Sequence, residues 1–274
     1  MDEAPNACIS LVDGESPLLL IDLSYFVFFR YFALLAYFKK SEREFEFDDF
    51  IERFDRLFQT NLLKLCKNLK FDHANTILVG DCARAKIWRM EYLETYKSNR
   101  DNKQKIHPGV FEIIYKHIIP RMERKFGIRY VSVDGAEADD VIGWIHRNTP
   151  NTTKVIVTND NDYLQLADQN TTLLNLKMKN IVDRGTGNPQ EDLLYKILVG
   201  DVSDNITGVV PPKKAQALVK MAEEEMHEVL RKDKLYDKFL CNKRLIDMRS
   251  IPDSIQEAIS FKVKICSRSS TESR

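Results

Sequence analysis

The chain has 274 residues, 43% of them apolar and 30% charged, enough to bury a sizeable core and too apolar for a chain that stays disordered. Its 41 Lys and Arg balance 41 Asp and Glu, which excludes a protein that coats nucleic acid through overall basicity.

In chain order, Pro17-Leu-Leu-Leu-Ile-Asp22 reads as a short buried strand ending in a carboxylate. Ser24 is placed to cap a very apolar helix running to about Phe38. Residues 47–70 repeat apolar side chains at helical spacing, and Thr76-Ile-Leu-Val-Gly-Asp81 is a second buried strand ending in a carboxylate. A helix is expected over 108–126, with Pro108 in its first turn. A strand follows at 129–133, a helix at 137–147 and a strand at 154–158. Two short strands are expected within 171–182 and a helix over 190–199. This alternation predicts an α/β fold with a mainly parallel sheet flanked by helices. Beyond Val199 only short helices are expected, and 267–274 reads as a polar, fraying tail.

Several other classes drop out. Cys8, Cys66, Cys82, Cys241 and Cys266 include no close pair, so zinc spacing and a disulfide framework are both absent and a reducing, cytoplasmic location is expected. Residues 1–15 show no basic-then-apolar leader. The stretch 18–38 carries Asp22 and Arg30, unlike a membrane span. An EF-hand at Asp160 fails on Leu164 and Gln165. The five histidines have no ligand spacing, and Arg30 could face the acidic rim or pair with a carboxylate.

The neutral total hides two opposed segments. Residues 84–125 hold 11 Lys and Arg against 5 acids, and 134–168 hold 2 against 7. The acids stand at strand ends: Asp22, Asp81, then Glu137, Asp139 and Asp140, then Asp160 and Asp162. In an open parallel sheet these ends share one edge, where ligands bind. Asp201 and Asp204 would join them if the Gly200–Ile206 turn folds back. Two carboxylates about 4 Å apart repel by about 1 kcal/mol in water and about 4 kcal/mol at an effective dielectric near 20. Such a cluster needs protons or cations, and an all-oxygen donor set favours Mg²⁺ or Mn²⁺ over Zn²⁺. The surplus suggests two ions, the arrangement that supports phosphodiester cleavage. For any single Asp, capping a helix or ending a strand is the plain alternative.

Beside the acids lies Trp88-Arg-Met-Glu-Tyr-Leu-Glu-Thr-Tyr-Lys-Ser-Asn-Arg-Asp101, whose aromatics alternate with cations as in segments that hold nucleic acid. Arg84, Lys86, Arg89 and Tyr96 are its candidate nucleic-acid contacts, with Lys213 and Lys214 further on.

Together these pieces resemble the 5′ nuclease superfamily: flap endonucleases, the exonuclease domains of bacterial DNA polymerases and the phage replicative ribonuclease H group. The matching segments are Leu20-Ile-Asp22, Val79-Gly-Asp81, Tyr96-Lys-Ser-Asn-Arg100, Glu137-Ala-Asp-Asp140, Thr158-Asn-Asp-Asn-Asp162 and Gly200-Asp-Val-Ser-Asp-Asn-Ile206, in the family's order. Asn242-Lys-Arg-Leu-Ile-Asp247 and Ile251-Pro-Asp253 look like the C-terminal region of the phage group. The resemblance implies a PIN-like nuclease core over 1–200 with a helical arch near 84–106, and a helical duplex-binding region over 201–274. It implies a first metal held by Asp22, Asp81, Glu137 and Asp139, and a second held or supported by Asp160, Asp162, Asp204, Asp140 and Asp201. Lys97 and Arg100 would contact the scissile phosphate, and Tyr96 would stack on a nucleotide. The implied activity is 5′→3′ exonuclease or flap endonuclease cleavage with Mg²⁺, Mn²⁺ substituting. The implied partners are DNA with a 5′ flap or 5′ end, an RNA–DNA hybrid, and a single-strand-binding protein or sliding clamp; a monomer without membrane contact is expected. A PIN-type ribonuclease on structured RNA and a non-catalytic binding module on the same fold are the alternatives. One departure stands out: Gly208-Val-Val-Pro-Pro-Lys-Lys-Ala215 shortens the family's helix–three-turn–helix and lacks its Gly-x-Gly, which implies a weaker duplex grip.

Overall fold

The computed structural model describes residues 8–40, 46–100 and 106–266, with the side chains of Arg100 and Pro108 outside that description. The expected tail at 267–274 also lies outside it.

Strand β2 (Leu18–Asp22) is apolar on both faces, as a central parallel strand must be. It pairs in parallel with β3 (Thr76–Val79), Leu19 facing Thr76, and with β5 (Lys154–Val157), Leu18 facing Lys154. Strands β4 (Arg129–Val131) and β6 (Thr171–Leu174) add to the two edges, again in parallel, giving the order β4-β3-β2-β5-β6. The chain builds outward through β3 and β4, then returns to the other side of β2. The order therefore reverses between β2 and β5, and the crevice beyond their carboxyl ends is the natural ligand site.

Helices cover both faces. Helices α1 (Leu23–Lys40) and α2 (Phe47–Leu69) cover one face together with α3 (Pro108–Ile113) and α4 (Ile119–Phe126), where Phe26, Phe50, Phe54 and Phe58 are fully buried. Phe26 and Phe58 meet edge to face at 5.0 Å. Helix α5 (Ala138–Asn148) covers the other face with α10 (Asp253–Lys262). Helices α6 (Pro189–Val199), α7 (Pro212–Leu218), α8 (Glu223–Lys232) and α9 (Tyr236–Ile246) share a third apolar cluster that also takes in Ile87 and Tyr96.

Several local expectations change. Asp22, rather than Ser24, caps α1: its Oδ1 accepts the Tyr25 N–H at 3.0 Å. The helix expected over 108–126 contains a π-helical turn, Ile114–Ile118, just ahead of Pro120. Pro120 lacks the N–H that a regular turn would use. Of the two strands expected within 171–182, only β6 forms, and Asn180 returns as an isolated bridge to Leu174. A small parallel pair, β1 (Ile9–Val12) with β7 (Val263–Cys266), joins the two ends of the described chain and was not foreseen. Among the described residues, 84–100 contains no α-helix. It makes 3₁₀ turns at Arg84–Lys86, Trp88–Glu91 and Ser98–Arg100, of which the middle one buries Trp88 and Arg89. No helix among the described residues is long and apolar enough to cross a membrane.

The aromatic layer yields a stability prediction. Phe54→Ala should cost about 3–5 kcal/mol in urea unfolding, because Phe54 is fully buried. Phe261→Ala, at a site 68% exposed, should stay within about 0.5 kcal/mol of the parent.

Candidate active site

The sheet's carboxyl edge opens into a pocket of about 530 Å³ lined by Asp22, Asp81, Lys97, Glu137, Asp139, Asp160, Lys196 and Asp201 among others. The acids arrive on several elements, Glu137 and Asp139 together at the start of α5. Asp22 closes β2, and its Oδ2 accepts the Thr158 hydroxyl at 3.1 Å. Asp81, two residues past β3, accepts the Ser24 hydroxyl at 2.5 Å and the Ala138 N–H at 2.8 Å. Glu137 is the N-cap of α5 and forms a capping box with Asp140, which satisfies donors that a helix start leaves open. Asp160 caps the 3₁₀ turn after β5 by accepting the Asp162 N–H at 3.0 Å. The turn after α6 does fold back: Asp201 and Ile206 bridge, and Asp204 is buried.

Two acidic groups emerge. Carboxylate oxygens of Glu137, Asp139 and Asp140 lie within 4.8 Å of one another, as do those of Asp162, Asp201 and Asp204. The oxygen-only donor set suits a hard divalent cation. The electrostatics agree, since burial and repulsion from Asp81 and Asp160 push the Asp22 carboxyl up to about 7. Burial also pushes Asp139 well above the usual range; Arg89 opposes the rise, while Asp140 and Glu137 add to it. Burial acts the same way on Glu137, but there Lys97 and Arg89 outweigh it and hold the carboxyl low. These residues fit a divalent metal centre, because added positive charge relieves the crowding.

Lys97 sits where the sequence places it. Its ammonium contacts Glu137 and lies 3.5 Å from Asp204. Its backbone is in the left-handed region, at φ 55°. That conformation costs a non-glycine residue about 1–3 kcal/mol. It is pinned on both sides: Lys97 N–H donates to the Asp204 carbonyl at 3.0 Å, and Arg84 donates to the Lys97 carbonyl at 2.7 Å.

Other expected contacts are redistributed. Tyr96 is buried, with its hydroxyl 2.9 Å from Glu137 and 3.0 Å from Asp204, so its ring is not offered to a nucleotide. Arg89 is buried against Glu137 and Asp140, so it is no surface contact for nucleic acid. Asp140 is fully buried, accepts from Arg89, Trp88 and the Glu137 N–H, and is not among the residues lining the pocket. Lys86 reaches outward and pairs with Asp134 at 2.8 Å. Lys213 is exposed, and Lys214 pairs with Asp233 at 2.5 Å.

One site residue escaped the sequence reading. Lys196, in the last turn of α6, contacts Asp162 and lies 2.8 Å from Asp201. Despite its burial, Asp201 is drawn down to about 2 by this ammonium and by Ser203. The available signal was a lysine one turn before Gly200-Asp201 on a helix ending at the acidic rim.

The comparisons with known proteins accord with this geometry. Residues 17–190 match the family described as 5′–3′ exonuclease, N-terminal resolvase-like domain, and the chain belongs to that family. It is 35% identical over 198 residues to DNA polymerase I of Caldicellulosiruptor bescii, a match spanning 62% of this chain and 22% of the polymerase. It is 31% identical over 159 residues to the 5′–3′ exonuclease of Buchnera aphidicola subsp. Acyrthosiphon pisum, spanning 54% of this chain and 51% of the relative. The chain thus matches about half or less of these curated relatives. In fold it is similar to the bacteriophage T5 flap endonuclease solved with DNA and metal ions, at TM-score 0.61 and 16% identity, covering 89% of this chain and 96% of that one.

The Asp22 carboxyl sets a pH signature. A folded-state value raised above the ordinary 3.8 means that the folded protein binds the extra proton, so its stability falls as pH rises from about 4 through 7. In EDTA, Asp22→Asn should therefore melt higher than the parent at pH 8. The difference should shrink towards zero near pH 4. Thermal melts at the two pH values check both the sign and the window.

Proposed function

We propose that this chain is a divalent-metal-dependent 5′→3′ nuclease that hydrolyses phosphodiester bonds in 5′ flaps or RNA primers. The observation that carries the reading is the convergence of carboxylates from four strand ends and the Gly200–Ile206 turn around Lys97. Membership of the 5′–3′ exonuclease family supports it. Asp22, Asp81, Glu137 and Asp139 would hold one ion, and Asp160, Asp162, Asp201 and Asp204 another, with Mg²⁺ the ion of choice and Mn²⁺ a substitute. Bound ions would supply charge neutralisation at the attacking and leaving oxygens. Lys97 would bring its ammonium to a phosphate at the mouth of the pocket, stabilising the charge that develops there. Arg100 is assigned the same role on its place in the Tyr96–Arg100 motif alone, since its side chain lies outside the described residues.

The C-terminal helices would hold the duplex. Gly200 permits the tight turn into them: at φ 74°, a Cβ there would lie 2.4 Å from the Ile206 carbonyl. In the following segment, the Val209 and Val210 N–H groups both donate to the Leu198 carbonyl, at 2.8 and 3.1 Å, and Pro211 and Pro212 have no N–H. Backbone donors for a phosphate are therefore scarce, which supports a duplex grip that depends on lysine charge. Substrate preference, partner proteins and the monomeric state are part of this proposal.

The test uses a 5′-flapped duplex, an RNA–DNA hybrid and an RNA hairpin, each labelled at either end in turn, in EDTA, Mg²⁺ or Mn²⁺. Metal-dependent release from the 5′ side of the first two is expected, with Asp160→Asn reducing it at least about 100-fold. Cutting confined to the hairpin would favour a structured-RNA ribonuclease, and binding without cleavage in either metal would favour a non-catalytic module. Binding to a nicked duplex in Ca²⁺ should weaken steeply with salt. Lys213→Ala should reduce the slope of log affinity on log salt by about 1; salt-tolerant, tight binding would remove the charge-dependent grip.

A further inference from the structure

We propose that Arg89 is a positioning residue for the metal centre, fixing Glu137 by tying it to Asp140 and to the end of helix α9. This inference rests on the reading of Glu137 and Asp139 as metal ligands.

Arg89 is 2% exposed, and its donors are shared among three residues in two segments. Nη1 donates to Glu137 Oε2 at 2.8 Å and to Asp140 Oδ2 at 2.9 Å. Nη2 donates to Asp140 Oδ1 at 2.8 Å, and Nε donates to the Leu245 carbonyl at 2.8 Å. Asp139 lies 3.7 Å away. Trp88 closes the arrangement: its Nε1 donates to Asp140 Oδ2 at 2.9 Å, and its ring centroid lies 4.7 Å from the guanidinium carbon.

A buried Arg–Asp pair is by itself weak grounds for any role beyond packing, because desolvation can cancel its attraction. Two further contacts distinguish this one. Arg89 and the Tyr96 hydroxyl both hold Glu137 Oε2, so Oε1 is the oxygen turned to the Lys97 side of the pocket. A carboxylate with one oxygen fixed presents the other in a defined direction, which is how outer partners tune a metal ligand. The second contact is Leu245, in the last turn of α9, whose carbonyl has no partner within its helix. One guanidinium thus anchors both the start of α5 and the end of α9. Only a planar fork reaches all of these acceptors at once; an ammonium on the same stem serves fewer of them.

The test measures Mn²⁺ binding to the protein without nucleic acid, by calorimetry, alongside metal-free melting and cleavage titrated with Mn²⁺. For Arg89→Lys the expected result is Mn²⁺ affinity lower by about 10–100-fold, with cleavage recovering as Mn²⁺ is raised. A variant that melts lower but binds Mn²⁺ as the parent does, with a cleavage deficit insensitive to Mn²⁺, would show a packing role and overturn the inference. Should Arg89→Lys not fold, Trp88→Phe, which deletes the indole donor to Asp140 and trims the ring beside the guanidinium, is read in its place. A several-fold loss of Mn²⁺ affinity there supports the inference, and parent-like affinity overturns it. Parent protein that binds no Mn²⁺ removes the metal reading itself, a failure seen before any variant is compared.

Discussion

Negative charge crowded at one edge of the sheet is the constraint around which the rest of this molecule is arranged. Parallel pairing of β2 with β3 and β5 brings Asp22, Asp81 and Asp160 to the same rim, because Asp22 ends its strand and the other two stand just past theirs. At an effective dielectric near 20, each close pair of ionised carboxylates costs about 4 kcal/mol. The chain meets part of that cost itself: Lys97 serves Glu137 and Asp204, Lys196 serves Asp162 and Asp201, and Arg89 serves Asp140. Among the described residues, no Lys or Arg pairs with Asp22, Asp81 or Asp160. At that corner the Asp22 carboxyl is pushed up to about 7 by burial and by its acidic neighbours. The internal cations flank the pocket, and the uncompensated corner is where an external cation has most to gain.

The same arrangement explains what the amino-acid sequence made legible. A strand buried on both faces is a short run of Leu, Ile and Val, and the first polar residue after it marks the sheet edge; Leu18–Asp22 and Thr76–Asp81 show this plainly. Helix-versus-strand periodicity then sets the layers. The acids were readable because their positions follow from local pattern plus one topological rule.

Burial of charged side chains was not readable in that way. Trp88-Arg89 and Tyr96-Lys97 look alike as alternating aromatic and cationic pairs, yet Arg89 and Tyr96 point inward while Lys97 lines the pocket. What turns Arg89 inward is contact with Glu137, Asp140 and Leu245, residues 48, 51 and 156 positions away. Nothing in a short window carries such information. Lys196 escaped for the same reason, as did β1 and β7, whose pairing joins opposite ends of the described chain. Ser24 is a smaller case: both Asp22 and Ser24 suit a cap, and the hydroxyl is taken by Asp81, leaving Asp22 to hold the helix start.

Zero net charge is compatible with the proposed nucleic-acid binding, because such recognition would be local. Electrostatic attraction falls off over about 10 Å at 0.1 M salt, so a phosphate at the pocket mouth responds to Lys97 and to the charge state of the adjacent acids, not to the total. An acidic site repels a polyanion unless its own charge is offset first. The lysines and Arg89 provide a fixed share of that offset, and bound metal would provide the remainder. Under the proposed function, substrate approach and metal occupancy would be linked through one electrostatic balance. Arg89 stands at the point where that balance meets the C-terminal helices: its Nε holds the end of α9 while its Nη1 holds Glu137. On the proposed reading, a displacement of α9 by a bound duplex would act on a guanidinium whose other donors hold Glu137, and so would connect the two regions through one side chain.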